Sequence, residues 1–249
     1  MENTLVIIPT YNEIENIASI IAAVFDTGLA VDVLIVDDQS PDGTAQEVIN
    51  QMDSYPERLF LETKSKKEGL GAAYVHGFLW ALRRQYEYIF EMDADFSHDP
   101  ADLERLYTAC INEGADLAVG SRYVKGGKLE NWPVSRKLIS ACGALFSKLI
   151  TWLPVNDPTA GFVCYRNRVL SKINLSAISF VGYAFQIEMK FAAWRLGFKI
   201  KEVPITFRDR KYGASKMSKG IISEGIKGVL YMQVQYLFGD YLKRISRPV

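Results

Sequence analysis

The amino-acid sequence predicts an α/β fold, a mostly parallel sheet flanked by helices, and three observations predict it. Short β-rich runs alternate with longer segments of helical period. The runs are continuously apolar rather than alternating, as strands buried on both faces are. Each ends in polar or acidic residues, where a parallel sheet opens a crevice at the carboxyl ends of its strands.

The predicted strands are 4–9 (TLVIIP), 31–38 (VDVLIVDD), 58–63 (RLFLET), 88–93 (YIFEMD) and 116–121 (DLAVGS), with helical segments at 13–25, 44–52, 70–84 and 100–114. Asn12 is the expected N-cap of the first helix, and Asp99 is placed to cap the helix beginning near Pro100. Gly69 and Gly71 open the third helix after a strand, but Tyr74 stands where a dinucleotide fingerprint wants its third glycine. The two glycines are expected to allow a tight turn and a close backbone approach. After about Arg122 the rhythm breaks into a Gly-rich loop (VKGGKLENWP), an amphipathic segment over 136–153 and the stretch NDPTAGFVCYR. A helix near 185–197, a strand at 199–207, a basic loop (RDRKYGASK) and a last helical stretch over 220–244 follow. No linker, low-complexity tract or repeat intervenes, so the second half is expected to complete the first as one unit over 1–217, followed by an amphipathic helical tail over 218–249.

Composition narrows the function. The 249 residues, 49% hydrophobic and 23% charged, are those of a globular chain with a full core. Its 29 basic and 29 acidic residues cancel, without the basic excess of a nucleic-acid binder. Three cysteines with no CxxC pair suggest neither a disulfide framework nor a zinc site, and they fit a reducing cytosol. The N-terminus has no secretory pattern. No uncharged run reaches the ~20 residues of a membrane span; the nearest, 138–155, is interrupted by Lys148.

Four groups of residues carry chemistry. PTYNE (9–13) sits at a predicted strand-to-helix switch, where Tyr11 can stack on a base and Glu13 can accept its N–H groups, or where a plain capped turn would stand. VDDQSPDGT (36–44) offers Asp37, Asp38 and Asp42 to ribose or base donors, although DGT is also ordinary turn chemistry. In MDADFSHDP, Asp93 and Asp95 lie two apart at a strand end, so an extended backbone points both the same way, roughly 6.6 Å apart by strand rise. Two such carboxylates repel unless a cation lies between them, and a hard ion bridging to a diphosphate, Mg2+ or Mn2+, is the natural solution. Arg122, Arg136, Arg210 and Lys216 form the fourth group, placed to clamp phosphate opposite the carboxylates.

Together PTYNE, DDQSPDGT, the DAD triplet, GSRY with its Gly-Gly loop, DPTAGF and RKYGASK resemble the inverting family 2 glycosyltransferases of GT-A (Rossmann-like) fold. Within that family they resemble the polyprenyl (dolichyl) phosphate mannose synthases, in order from Leu5 to about Met217. The resemblance implies transfer of mannose from GDP-mannose to a polyprenyl monophosphate with Mg2+ or Mn2+ as cofactor. By the same resemblance Pro9, Tyr11, Glu13 and Asp38 would hold the guanine nucleoside, with Asp37 nearby. Asp93 and Asp95 would hold the metal and the donor diphosphate. Arg122 and Arg136 would hold the acceptor phosphate with Ser135 beside them, and Arg210 and Lys216 would close on the donor phosphates. Asp95, Arg122, Arg136 and Lys216 would be the catalytic group. Gln186 and Glu188 fall in a stretch like the family's acceptor-side helix. The chain departs from the pattern at Ser97, where some relatives carry a glutamine as an extra metal ligand.

A phosphate acceptor is already anionic at neutral pH and needs no general base, which fits a chain with only His76 and His98. A lipid acceptor gives a role to the amphipathic segment, where Leu138, Ile139, Cys142, Leu145, Phe146, Leu149, Ile150, Trp152 and Leu153 share one wide sector opposite Lys137, Ser140, Ser147, Lys148 and Thr151. That sector rests on a membrane surface or on the protein core. The expectation is a protein peripheral on the cytoplasmic membrane face; nothing in the sequence specifies a separate anchoring subunit. Two other readings compete: a transferase of the same fold using UDP-glucose or another donor, or acting on a saccharide hydroxyl, and a non-catalytic membrane-associated binding protein.

Overall fold

Seven strands form the central sheet of the computed structural model, which describes residues 3–182, 184–209 and 219–246. β1 (Thr4–Thr10) lies inside it, paired in parallel with β2 (Asp32–Asp37) on one side and with the central strand β4 (Tyr88–Glu91) on the other. β3 (Leu59–Thr63) closes one edge beside β2. Beyond β4, β7 (Val163–Arg166) runs antiparallel to both β4 and β5 (Leu117–Ser121), and β8 (Ile200–Pro204) pairs in parallel with β5. β6 (Lys128–Glu130) and β9 (Thr206–Arg208) make a separate two-stranded parallel sheet. The predicted strand over 199–207 is therefore split between the two sheets, with Ile205 turned into the core at the junction.

Both faces of the large sheet are covered, which explains its unbroken apolar runs. Leu5 and Ile7 pack with residues of α3 (Leu70–Arg83), α7 (Ala184–Arg195), α8 (Lys219–Phe238) and α9 (Tyr241–Ile245). Val6 and Ile8 point the other way, into a layer built with α1 (Ile17–Asp26), α2 (Thr44–Met52) and α4 (Leu103–Ile111). α5 (Val134–Thr151) lies outside this sandwich against α8, and α6 (Asn167–Lys172) follows β7.

With both faces closed, polar side chains collect at the carboxyl ends of β1, β2, β4 and β5. Because β7 runs antiparallel, its incoming loop, residues 157–162, reaches the same edge.

Some local expectations need correction. Asn12 does not cap the first helix: it takes the left-handed conformation (φ 57°), and the helix begins only at Ile17. The turn ahead of the helix is held from the neighbouring strand end instead, as the backbone N–H groups of Asn12, Glu13 and Ile14 donate to the side chains of Ser40, Thr44 and Asp42. Asp99 does cap its helix, accepting from the Ala101 N–H at 3.1 Å, although the first turn, Pro100–Asp102, is 3-10. Gly69 stands at φ 102°, and a Cβ on Gly71 would lie 2.7 Å from the Phe185 ring, so this pair provides the expected tight turn and close approach between α3 and α7.

Candidate active site

The carboxyl edge of the sheet holds a cavity of about 360 Å3. Its acidic end is built from three strand ends. Pro9 and Thr10 end β1 and Tyr11 and Glu13 follow it, Asp38 follows β2, and Asp93, Ala94 and Asp95 follow β4. Three non-glycine residues in these loops, Asn12, Gln39 and Phe96, have φ between 56° and 60°, strain typical of loops that aim side chains into a site. Asp38 is buried against the Lys64 ammonium at 3.1 Å, and Lys67 lies over the Tyr11 ring, 3.3 Å from its centroid. Asp37 takes no part in the lining. It is wholly buried, accepting from the Thr10 and Ser40 hydroxyls and the Ser40 N–H, and so ties the β1 and β2 ends together.

Asp93 and Asp95 both face the cavity, and Asp95 accepts the Ser97 N–H at 3.0 Å. His98 stacks on Phe162 and accepts the Asp93 N–H on Nδ1 at 3.1 Å, leaving its proton on Nε2. Burial pushes the His98 imidazole down to about 4 against the pull of Asp95, so at neutral pH it is an uncharged prop for the DAD turn. Among the described residues no group of three or more His, Cys, Asp or Glu side chains is arranged to hold a metal. Two carboxylates on one cavity wall nevertheless fit a hard divalent ion that takes its remaining ligands from substrate phosphates and water.

Two arginines also line the cavity. Arg122, at the end of β5, has a buried guanidinium that forks onto Asp157, with Nε and Nη2 each 2.7 Å from a carboxylate oxygen, and Nη2 also donates to Thr159. Burial works to raise the Asp157 carboxyl, but the charge and hydrogen bonds of Arg122 outweigh it and hold it below the usual range. Arg136, on the first turn of α5, stacks on Trp132 at 3.8 Å and pairs with Asp209 at 2.9 Å. Ser135 is exposed and does not line the cavity. Arg210 and Lys216 lie outside the described residues. Gln186 lines the cavity, whereas Glu188 is buried beneath it, accepting from the Ser179 and Phe180 N–H groups.

Trp132, Arg136 and Thr159 also open a second, apolar cavity of about 500 Å3 between α5 and α8, walled by Leu138, Ile139, Phe146, Ile187 and Ile226. The buried face of α5 is small or polar, Ala144, Ser147 and Thr151, and the two hydroxyls donate to their own helix's carbonyls of Gly143 and Ser147, so they are buried without loss. Several of its apolar residues face outward, with Leu145 57% and Leu149 62% exposed, whereas Phe146 and Ile150 of the predicted sector are partly buried against the core. Leu138, Ile139 and Trp152 are exposed beside them, as are Ile226, Leu230, Val234, Leu237 and Phe238 of α8. Leu153 departs from the predicted sector and is fully buried beyond the helix end. Among the described residues no helix is long and apolar enough to cross a membrane.

Sequence reasoning missed Lys67, Trp132, Thr159, Gly161 and Phe207, all of which line the cavity. Only Thr159 and Gly161 lie within a recognisable motif, DPTAGF, and the others come from loops whose approach to the site is set by tertiary structure.

The model of the family described as glycosyl transferase family 2 matches residues 5–173. The polyprenol monophosphomannose synthase of Mycolicibacterium smegmatis is 47% identical over 225 residues, covering 90% of this chain and 84% of that protein. The undecaprenyl-phosphate mannosyltransferase of Micrococcus luteus is also 47% identical over 225 residues, covering 90% of this chain and 91% of that one. Among solved structures, glucosyl-3-phosphoglycerate synthase from Mycobacterium tuberculosis, in complex with Mn2+, UDP and glucosyl-3-phosphoglycerate, has a TM-score of 0.66 at 18% identity. The match covers 92% of this chain and 79% of that one, a likeness of fold.

The Arg122–Asp157 pair generates a stability prediction. Asp157→Ala leaves a buried guanidinium without its counter-charge and should cost about 3–5 kcal/mol. Urea denaturation measures it, and a loss below about 1 kcal/mol, the scale of an exposed pair, would show that the pair does not anchor the loop.

Proposed function

The chain belongs to glycosyl transferase family 2, and on that premise we propose that it is a polyprenyl-phosphate mannosyltransferase that inverts the sugar as it moves it from GDP-mannose to a lipid monophosphate. One observation carries this reading beyond the family. The polar cleft, lined by both carboxylates and cations, shares Arg136, Trp132 and Thr159 with an apolar groove between two helices that expose further apolar side chains. A saccharide acceptor has no use for such a groove, whereas a lipid phosphate fits both parts.

In this reading Tyr11 stacks on the guanine, and Glu13 and Asp38 accept its N–H groups, with Pro9 shaping the turn beneath. Asp37 acts from behind by holding the loop. Asp93 and Asp95 hold a divalent ion, Mg2+ or Mn2+, which when bound neutralises the departing diphosphate. Arg136 receives the acceptor phosphate where cleft meets groove, and Arg122, held by Asp157, adds positive potential from beneath. Arg210 and Lys216 are assigned to the donor phosphates on the resemblance of the RKYGASK segment alone. The attacking phosphate oxygen carries its own charge, so no side chain has to remove a proton, and His98, neutral and engaged with the Asp93 N–H, is not asked to. Catalysis then consists of positioning and electrostatic stabilisation.

The exposed faces of α5 and α8 are assigned to a membrane surface, reached peripherally from the cytoplasmic side. Three unpaired cysteines are consistent with that compartment. Residues 1–217 would form the catalytic unit and 218–249 a tail that shares this membrane contact.

The reading predicts transfer of labelled mannose from GDP-mannose to a polyprenyl phosphate, with UDP-glucose and UDP-GlcNAc inert. EDTA and Asp95→Ala should each abolish transfer, and Asp93→Ala nearly so. Full activity after chelation would sink the metal assignment, and preference for a UDP-sugar would sink the donor. For the membrane face, replacing Leu145 and Leu149 together by Ser should reduce vesicle co-sedimentation and use of long-chain acceptors while the melting temperature barely moves. Were that face packed on protein, the pair would instead destabilise by several kcal/mol (roughly 2–5 for each large-to-small core change).

A further inference from the structure

Lys190 is the one charged residue between Met189 and Trp194 on α7, and it is fully buried. Its ammonium donates three hydrogen bonds, to the Ala160 carbonyl at 2.7 Å, the Gln186 carbonyl at 3.0 Å and Gln186 Oε1 at 3.2 Å. These bonds tie the loop before β7 to the first turn of α7. Both segments wall the cleft: Thr159 and Gly161 flank Ala160, and Gln186 lines the cavity itself. Gly161 also leaves room at that wall, since a Cβ there would stand 3.7 Å from both Gln186 Nε2 and His98 Cε1.

Burying an ammonium costs several kcal/mol, and a well-packed apolar side chain in its place is often neutral or stabilising. Stability alone is therefore a weak account of Lys190, whereas all three of its hydrogens are used to join two parts of the cleft. Burial pushes it down to about 8 against the attraction of Glu91, and Glu91 in turn is pushed up to about 7 by burial, outweighing Lys190.

We propose that Lys190 is a positioning residue for sugar transfer: by clamping Ala160 to Gln186 it sets the wall against which the transferred hexose lies, between the carboxylates and Arg136. This rests on the mannosyl-transfer reading. The nucleotide end, made by Pro9, Tyr11, Glu13 and Asp38, receives none of these hydrogen bonds, so the inference separates the sugar from the nucleotide.

The test uses the full-length chain with Lys190→Met, measuring GDP affinity by competition, kcat and KM for GDP-mannose, and melting temperature. The expected result is a fall in kcat of about 10–100-fold, the scale of a small misplacement of reacting groups, with GDP affinity unchanged. A folded variant with wild-type kcat overturns the proposal, as does a parallel loss of GDP binding. Should Lys190→Met fail to fold, the double variant Glu91→Gln/Lys190→Met, which also removes the nearby buried carboxylate, is judged by the same comparison of kcat with GDP affinity. Absence of transfer by the wild type overturns the mannosyl reading and this inference with it, whereas transfer by the wild type with an unaffected variant overturns this inference alone.

Discussion

The structure depends on one constraint: the seven-stranded sheet is buried on both faces, so most of its charge is placed at the ends of its strands, Glu91 of β4 with the buried Lys190 of α7 being an exception. Val6 and Ile8 fill one layer, Leu5 and Ile7 the other, and the polar groups that remain between, such as Glu91 and the Tyr165 hydroxyl, are hydrogen-bonded to one another. The carboxylates that continue β1, β2 and β4 therefore meet across a single edge. β7 adds to this edge because it runs against its neighbours, and its incoming loop brings Asp157, Thr159 and Gly161 to the strand ends where Arg122 waits.

Crowding charges at one edge creates an electrostatic problem that buried partners solve. Asp38 is met by Lys64 and Asp157 by Arg122, and the buried Lys190 attracts Glu91 electrostatically. Asp37 is satisfied by hydroxyls and an N–H, and it braces the turn instead of binding. Asp93 and Asp95 both face the cavity, and in the proposed reading they hold the divalent ion. Of these acids Asp37 is turned away from the cavity, whereas Asp38, Asp93 and Asp95 line it.

Most of the fold was legible in the sequence because a strand covered on both faces has to be apolar throughout and can carry its acids only at its end. The β/α alternation through residue 121 matches the structure, and the amphipathic sector of α5 was visible in its periodicity. Its direction was not legible: a helical wheel shows that Leu145 and Leu149 oppose Ser147 and Thr151, but only the packing shows that the hydroxyls face inward. Asp37 and Asp38, adjacent in sequence, look equivalent until alternation along the strand end sends one under the loop and the other to the cleft. Trp132 and Phe207 gave no signal, since each is an ordinary aromatic residue whose place comes from the pairing of β6 with β9. The split of the last predicted strand at Ile205, which creates that pairing, also escaped a pattern that reads apolar throughout.

The central claim is that an anionic lipid phosphate, seated where the cleft meets the apolar groove, attacks the sugar directly from the side opposite the departing diphosphate. The configuration at the mannose anomeric carbon tests it most directly, read by the one-bond carbon–proton coupling in NMR of the product made from α-linked GDP-mannose and a polyprenyl phosphate. A β-linked mannosyl phosphate is the predicted result, and an α-linked product would contradict the single displacement.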